Sequence, residues 1–272
     1  MDECGNAVVF TTWGEWLPAV VTEPRLRHML GRDWQRYRRT EDPTVRLRFA
    51  AARLVLKHAA AAALETGAAE LDLAYKIGGR PHLRGVSQVE VSLTHTDELI
   101  VVGLSRTGRL GVDAEPLSRV LSLDVMHSRV CTPGEQAALG AVDDPDLTAA
   151  MLRLWTLKEA YTKALGHGLR LPFTEFGVPR LAEGEIATNA REGLLAPDGA
   201  PAATGAWAFG AFRALDRYLV SVACHDTGPG ARPESGGPGL CDEKSMSLVS
   251  RLLRQEPGPY LSSSPRGLEP TV

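Results

Sequence analysis

Three short stretches place side chains capable of chemistry at telling spacings. Gly111-Val112-Asp113-Ala114-Glu115 closes an apolar run that reads as a strand, Leu110–Ala114. Residues two apart on a strand share a face, so Asp113 and Glu115 point the same way. Neighbouring carboxylates repel unless a proton or cation sits between them. A hard cation such as Mg²⁺ accepts a few such oxygens together with substrate phosphates and water; a solvated strand end is the plainer alternative. The second stretch runs from Trp155 to Leu169. On a helix Trp155, Glu159 and Lys163 fall at i, i+4 and i+8, which lines up an aromatic plane, a carboxylate and an ammonium. A routine surface Glu–Lys pair is the alternative, and it leaves the tryptophan and the Gly166-His167-Gly168 that follows unexplained.

The third stretch is Ser92-Leu93-Thr94-His95-Thr96. A histidine among hydroxyls at a strand end can donate hydrogen bonds to a phosphate, although a solvated turn histidine has the same look. Gly79-Arg80-Pro81 is a weaker feature: Pro81 restrains Arg80 towards an extended backbone, and arginine suits phosphate. Positive charge is also uneven along the chain, with nine arginines between Arg25 and Arg53; solvated helix faces account for most of them.

The elements that must position these groups follow from pattern. Val8–Thr12 reads as a strand and Pro24–Arg38 as a helix with proline in its first turn. Val45–Leu64 is a stronger helix, with Leu47, Ala50, Ala51, Leu54, Val55 and His58 at spacings of three and four and Gly67 as its stop. Leu71–Ile77 alternates like a strand. Val89–Leu93 and Leu99–Leu104 read as a hairpin around a polar turn, Thr94–Glu98. Pro133–Leu139 is a helix capped by Thr132, and Leu147–Leu165 a longer one ended by Gly166. Phe209–Ala223 reads as a closing hairpin around Leu215-Asp216.

The 272 residues, 44% of them apolar, provide ample core for one large or two small domains. A net charge of −3 gives no reason to expect a nucleic-acid partner. The longest apolar stretch, around Ala59–Leu64, is too short to span a membrane, and no signal peptide is expected. Cys4, Cys131, Cys224 and Cys241 are scattered without metal-type spacing, which favours a reduced, cytoplasmic protein. Gly and Pro dominate His225–Gly239, and Pro, Ser and Gly dominate Glu256–Val272. The 226–272 segment therefore reads as a disordered tail, with room for an amphipathic turn or two in Asp242–Gln255.

Taken in order, Arg53, Gly79-Arg80-Pro81, Thr94-His95, Gly111-Val112-Asp113-Ala114-Glu115 and Trp155-Thr156-Leu157-Lys158-Glu159-Ala160-Tyr161-Thr162-Lys163 resemble the Sfp-type 4′-phosphopantetheinyl transferase family over roughly residues 8–224. Thr94 stands where the family usually has serine, and Arg80 where many members have lysine. The resemblance implies an α/β (α+β) fold: a pseudo-twofold pair of similar subdomains, 1–106 and 107–225, each a small antiparallel sheet packed on a long helix. It implies transfer of the 4′-phosphopantetheine arm of coenzyme A to a serine of an apo acyl or peptidyl carrier protein, with Mg²⁺ as cofactor and 3′,5′-ADP as leaving product, in secondary metabolism. By resemblance Asp113, Glu115 and Glu159 bind the metal. Glu159 and Lys163 are the catalytic residues, and Arg48, Arg53, Arg80, Pro81, Thr94, His95, Lys158 and Lys163 contact coenzyme A. Val125–Val130 is the candidate carrier-docking segment, and a monomer is expected. The alternatives are a non-catalytic coenzyme A-binding or scaffold homologue and a Mg-dependent nucleotide hydrolase. The second lacks a Gly-rich phosphate loop here.

Overall fold

The computed structural model describes residues 5–166, 170–181, 186–187, 194–202 and 207–226. The proposed tail, with its Asp242–Gln255 turns, lies outside the described residues apart from Asp226, as does His167. β1 (Asn6–Thr12) runs directly into α1 (Trp13–Thr22), a helix that periodicity did not reveal. A capping box starts it: the Glu15 amide donates to the Thr12 hydroxyl (3.4 Å) and the Thr12 amide to the Glu15 carboxylate (3.0 Å). The helix expected over Pro24–Arg38 is broken into α2 (Leu26–Leu30), a 3-10 turn at Gly31–Asp33, and α3 (Trp34–Arg39). Gly31 causes the break, with φ 52° and ψ −118°, a backbone that a Cβ disfavours.

The long helix is present as α4 (Pro43–Leu64). Asp42 caps it by accepting from the Val45 amide at 3.0 Å. It ends at Glu65, itself left-handed, two residues before the glycine expected to stop it. β2 (Leu73–Tyr75) is shorter than expected and pairs with β3 (Pro81–Leu83), which begins at Pro81. β4 (Glu90–Thr96) and β5 (Leu99–Ser105) form the expected hairpin, but the turn is only Asp97-Glu98. Thr94, His95 and Thr96 are thus strand residues: the ladder continues to Thr96 opposite Leu99, and Asp97 takes up the reversal at φ 45°.

β6 (Gly108–Pro116) carries the acidic motif. α5 (Leu123–Arg129), α6 (Pro133–Leu139) and α7 (Asp144–Leu165) follow, then β7 (Ile186–Ala187) and the hairpin of β8 (Trp207–Ala214) and β9 (Tyr218–Asp226). All strand pairing is antiparallel, in sheets ordered β1-β5-β4, β2-β3 and β6-β9-β8-β7. The class is therefore α+β. No helix among the described residues is long and apolar enough to cross a membrane.

The two larger sheets face each other through Val8, Leu99 and Val101 on one side and Leu110, Val112, Val220 and Val222 on the other. Two glycines permit close approach on either side of β6, one towards the other sheet and one towards α7. A Cβ on Gly103 would lie 2.1 Å from the Leu110 side chain. One on Gly111 would lie 2.0 Å from the Ala160 carbonyl oxygen and 2.5 Å from the Ala164 nitrogen. At Gly111 the obstacle is the backbone of α7, which cannot rotate away. Gly111→Ala should therefore lower stability by about 3 kcal/mol through overpacking, seen as a lower urea midpoint. Gly103→Ala, which meets movable side chains, should lower it less. Equal midpoints for both variants would show that α7 is not pinned to β6 in this way.

Candidate active site

With its backbone against β6, α7 lays one face beside the end of that strand. The Lys163 ammonium donates to Asp113 Oδ1 at 2.5 Å and to the Thr94 hydroxyl at 3.0 Å. The Thr94 hydroxyl also contacts Asp113 Oδ1 at 3.3 Å. β4 reaches β6 through its side chains here. Ser92 and Thr94 share a buried face, and the Ser92 hydroxyl accepts from the Val112 amide at 3.1 Å. Three elements, β4, β6 and α7, thus close on Asp113, which is 6% exposed.

Glu115 and Glu159 complete an acidic cluster. Burial raises the Glu159 pKa most, and the Asp113 charge raises it further; Lys163 and a hydrogen bond from Trp155 oppose both. That bond gives the tryptophan a role its spacing alone did not define: the indole N–H, one turn back, orients the glutamate. Burial also raises the Glu115 pKa, against Arg119, whose guanidinium donates to Glu115 Oε2 at 2.9 Å. Arg119 lies over the Trp155 ring, 4.8 Å from its centre. Among the described residues no group of three His, Cys, Asp or Glu side chains is arranged to hold a metal ion. The physical reason is local: Lys163 takes one carboxylate and Arg119 another, so cationic side chains supply the counter-charge that the expected cage assigned to a metal. The donor set still suits a hard divalent cation, because all three candidate ligands are carboxylate oxygens and their fields overlap.

Beyond the acids lies a cationic wall. His95 is on the exposed face of β4. The protein around its ring lowers its pKa most, followed by Arg53, Lys163, Arg48 and Arg36. Arg53 is 7% exposed, held at Nε by Asp33 (3.3 Å) and stacked 3.9 Å above the centre of the Phe49 ring. Tyr75 donates to the same Asp33 oxygen. Arg36 covers Phe49 as well, and Arg48 lies over Trp13. Arg36, Arg119 and Asp33 escaped the sequence reading. Asp33 carried a usable signal, being the sole acid among the arginines of Arg25–Arg39. Arg119 carried none, because its loop conformation is not written in any spacing.

Two expected ligand contacts sit elsewhere. Lys158 is 0% exposed and bonded to Val130, Glu135 and Phe173, away from the acidic cluster, so it is not available to coenzyme A. One helical step of about 100° from Glu159 turns it into the core. Arg80 is also buried and serves the scaffold. It donates to the Ala164 carbonyl at the end of α7, reaches Leu110 O at 3.4 Å and pairs with Glu90 at 2.8 Å. Pro81 opens β3 beside it.

His95 gives the wall a pH signature. Its lowered pKa keeps the ring neutral near pH 7, and stability from this residue is lost as pH falls below the ordinary histidine value, where the unfolded chain protonates first. A phosphate beside the ring would favour the protonated form, so binding should take up a proton. By calorimetry, pyrophosphate should bind more tightly to the wild type as pH falls from about 7.5 to about 5.5, and His95→Gln should flatten that gain. Parallel pH curves for the two proteins would remove His95 from the phosphate site.

Residues 109–223 match the family model described as the 4′-phosphopantetheinyl transferase superfamily. HetI of Nostoc, named a 4′-phosphopantetheinyl transferase, is 29% identical over 153 residues, 55% of this chain and 61% of that protein. A putative 4′-phosphopantetheinyl transferase of Synechocystis is 29% identical over 137 residues, 50% of this chain and 54% of that protein. The 4′-phosphopantetheinyl transferase Sfp of Bacillus subtilis is 25% identical over 109 residues, 40% of this chain and 47% of that protein. The chain thus spans about half to three fifths of the length of these curated relatives.

Proposed function

We propose that this chain, whose residues 109–223 match the model of the 4′-phosphopantetheinyl transferase superfamily, transfers the phosphopantetheine arm of coenzyme A to a serine hydroxyl of an apo acyl or peptidyl carrier protein. The observation that carries the reading is the meeting of Asp113, Thr94 and Lys163 from three elements, beside two carboxyls with raised pKa. In this reading Asp113, Glu115 and Glu159 hold Mg²⁺, which when bound offsets negative charge on the coenzyme A pyrophosphate. Lys163 and Thr94 donate to the phosphate oxygens, and His95 donates beside them. The arginines around Phe49 and Trp13, chiefly Arg53 with Arg48, face the 3′-phosphate end.

The serine oxygen forms a bond to the β-phosphorus while the bond to 3′,5′-ADP breaks. Glu159 takes the serine proton. Lys163 neutralises the departing phosphate. Positioning and electrostatics supply most of the rate. The carrier docks on the segment after β6, where Val120 is 94% and Val125 54% exposed, next to Arg119, His127 and Arg129.

The pseudo-twofold is part of the same proposal, with halves at 1–106 and 107–225. It is supported by matching sheet orders, β1-β5-β4 and β6-β9-β8, and by a 22-residue helix in each half. Each long helix also carries a buried lysine that reaches the end of a preceding short helix, Lys57 to Met29 O (2.8 Å) and Lys158 to Val130 O (2.7 Å). The chain acts as a monomer in the cytoplasm.

Incubation with coenzyme A, Mg²⁺ and a panel of apo carriers should give a fixed mass gain on a carrier by mass spectrometry. Glu159→Ala should abolish the gain and leave circular dichroism unchanged. Near wild-type turnover in that variant would remove Glu159 from the reaction. Release of 3′,5′-ADP without any carrier gain would make the protein a hydrolase instead.

A further inference from the structure

Lys158 lies in the same helical motif as Glu159 and Lys163 but takes no part in the site. Its ammonium donates to Val130 O (2.7 Å), Phe173 O (2.6 Å) and Glu135 Oε2 (2.6 Å), with the Phe176 ring 5.1 Å away. Glu135 is equally engaged. Its Oε2 also accepts from the Thr132 amide (2.7 Å), closing the cap of α6, and its Oε1 accepts from the Val178 amide (3.0 Å). One buried ion pair therefore ties the end of α5, the start of α6, the middle of α7 and the 173–178 segment. Such pairs are weak evidence of stability; what they secure is a fixed geometry.

The geometry fixed here is the far end of the 117–131 segment. The near end is held by the Leu117 amide on Arg217 O (2.8 Å) and by Arg119 on Glu115. Between these anchors stand the exposed Val120 and Val125, with the exposed Arg129 and one exposed acid, Asp124, while the anchor Arg119 adds a second guanidinium at the near end. Leu121, Leu123 and Met126 face inward, packed with Trp155 against the same core. A segment anchored at both ends, with exposed valines and two arginines against one acid, suits an acidic partner with an apolar contact.

We propose that Lys158 and Glu135 are positioning residues for the carrier protein, holding 117–131 in register with Glu159 so that a docked carrier presents its serine to the acidic site. The proposal rests on the transferase reading above. Its first test is hydrogen exchange on the full chain without substrates. Glu135→Gln, which keeps shape and part of the hydrogen bonding, should speed exchange in 121–139 and leave 110–116 unchanged. Uniform protection in wild type and variant would overturn the clamp, whatever the protein catalyses.

The second test is kinetic, with an apo carrier that the wild type modifies. Glu135→Gln should raise KM for the carrier by about tenfold, with coenzyme A affinity by calorimetry and kcat within about threefold of wild type. Lys158→Met, if it folds, should do the same more strongly. A fall in kcat or coenzyme A affinity with carrier KM unchanged would overturn the inference, as would a lower melting temperature with all three unchanged. If the wild type modifies no carrier, the transferase reading falls, and with it the docking role, leaving only the clamp that exchange measures.

Discussion

Gly111 lets α7 rest backbone to strand on β6, and the rest of the molecule depends on that contact. Any side chain there would push the helix outward by the width of a methyl group or more. Lys163 would then lose Asp113, and Glu159 would leave the field of the strand carboxylates. The glycine in the acidic motif is thus a spacing device. Asp113 can be served from three directions because nothing stands between its strand and the helix that crosses it.

Charge is distributed with economy around that contact. Asp113, Glu115 and Glu159 would repel one another if left alone, and Lys163, Arg119 and the Trp155 indole each engage one of them. Opposite them, Arg36, Arg48, Arg53 and Lys163 bear on one histidine. An acidic patch and a basic wall thus meet at Lys163, which bears on both.

Much of this was legible in the sequence, and the gaps have physical causes. Helix Pro133–Leu139 follows residue for residue from its pattern, because Thr132 and Pro133 mark its start unambiguously. The long helices and the closing hairpin were visible in their periodicity. α1 was not, because its signal is the Thr12–Glu15 capping box rather than a clean apolar stripe. The break at Gly31 was hidden in a continuous helical pattern. The polar run Thr94 to Glu98 points to a turn at His95, whereas strand pairing outweighs polarity as far as Thr96. The chemistry at Asp113 and Lys163 could be named, but the inward turn of Lys158 and the burial of Arg80 could not. Both lie beside residues that are less buried, and only packing separates a side chain that faces outward from one that braces the core.

α7 therefore works on two faces at once, carrying the acidic site on one and the Lys158 brace on the other, about one helical step apart. The spacing within Trp155–Lys163 can neither gain nor lose a residue, because each insertion would rotate one face by about 100° relative to the other. Length variation in a chain built this way is confined to the ends of that helix and the loops beyond it, while the seven positions between the tryptophan and the lysine are fixed in number even where they are free in kind.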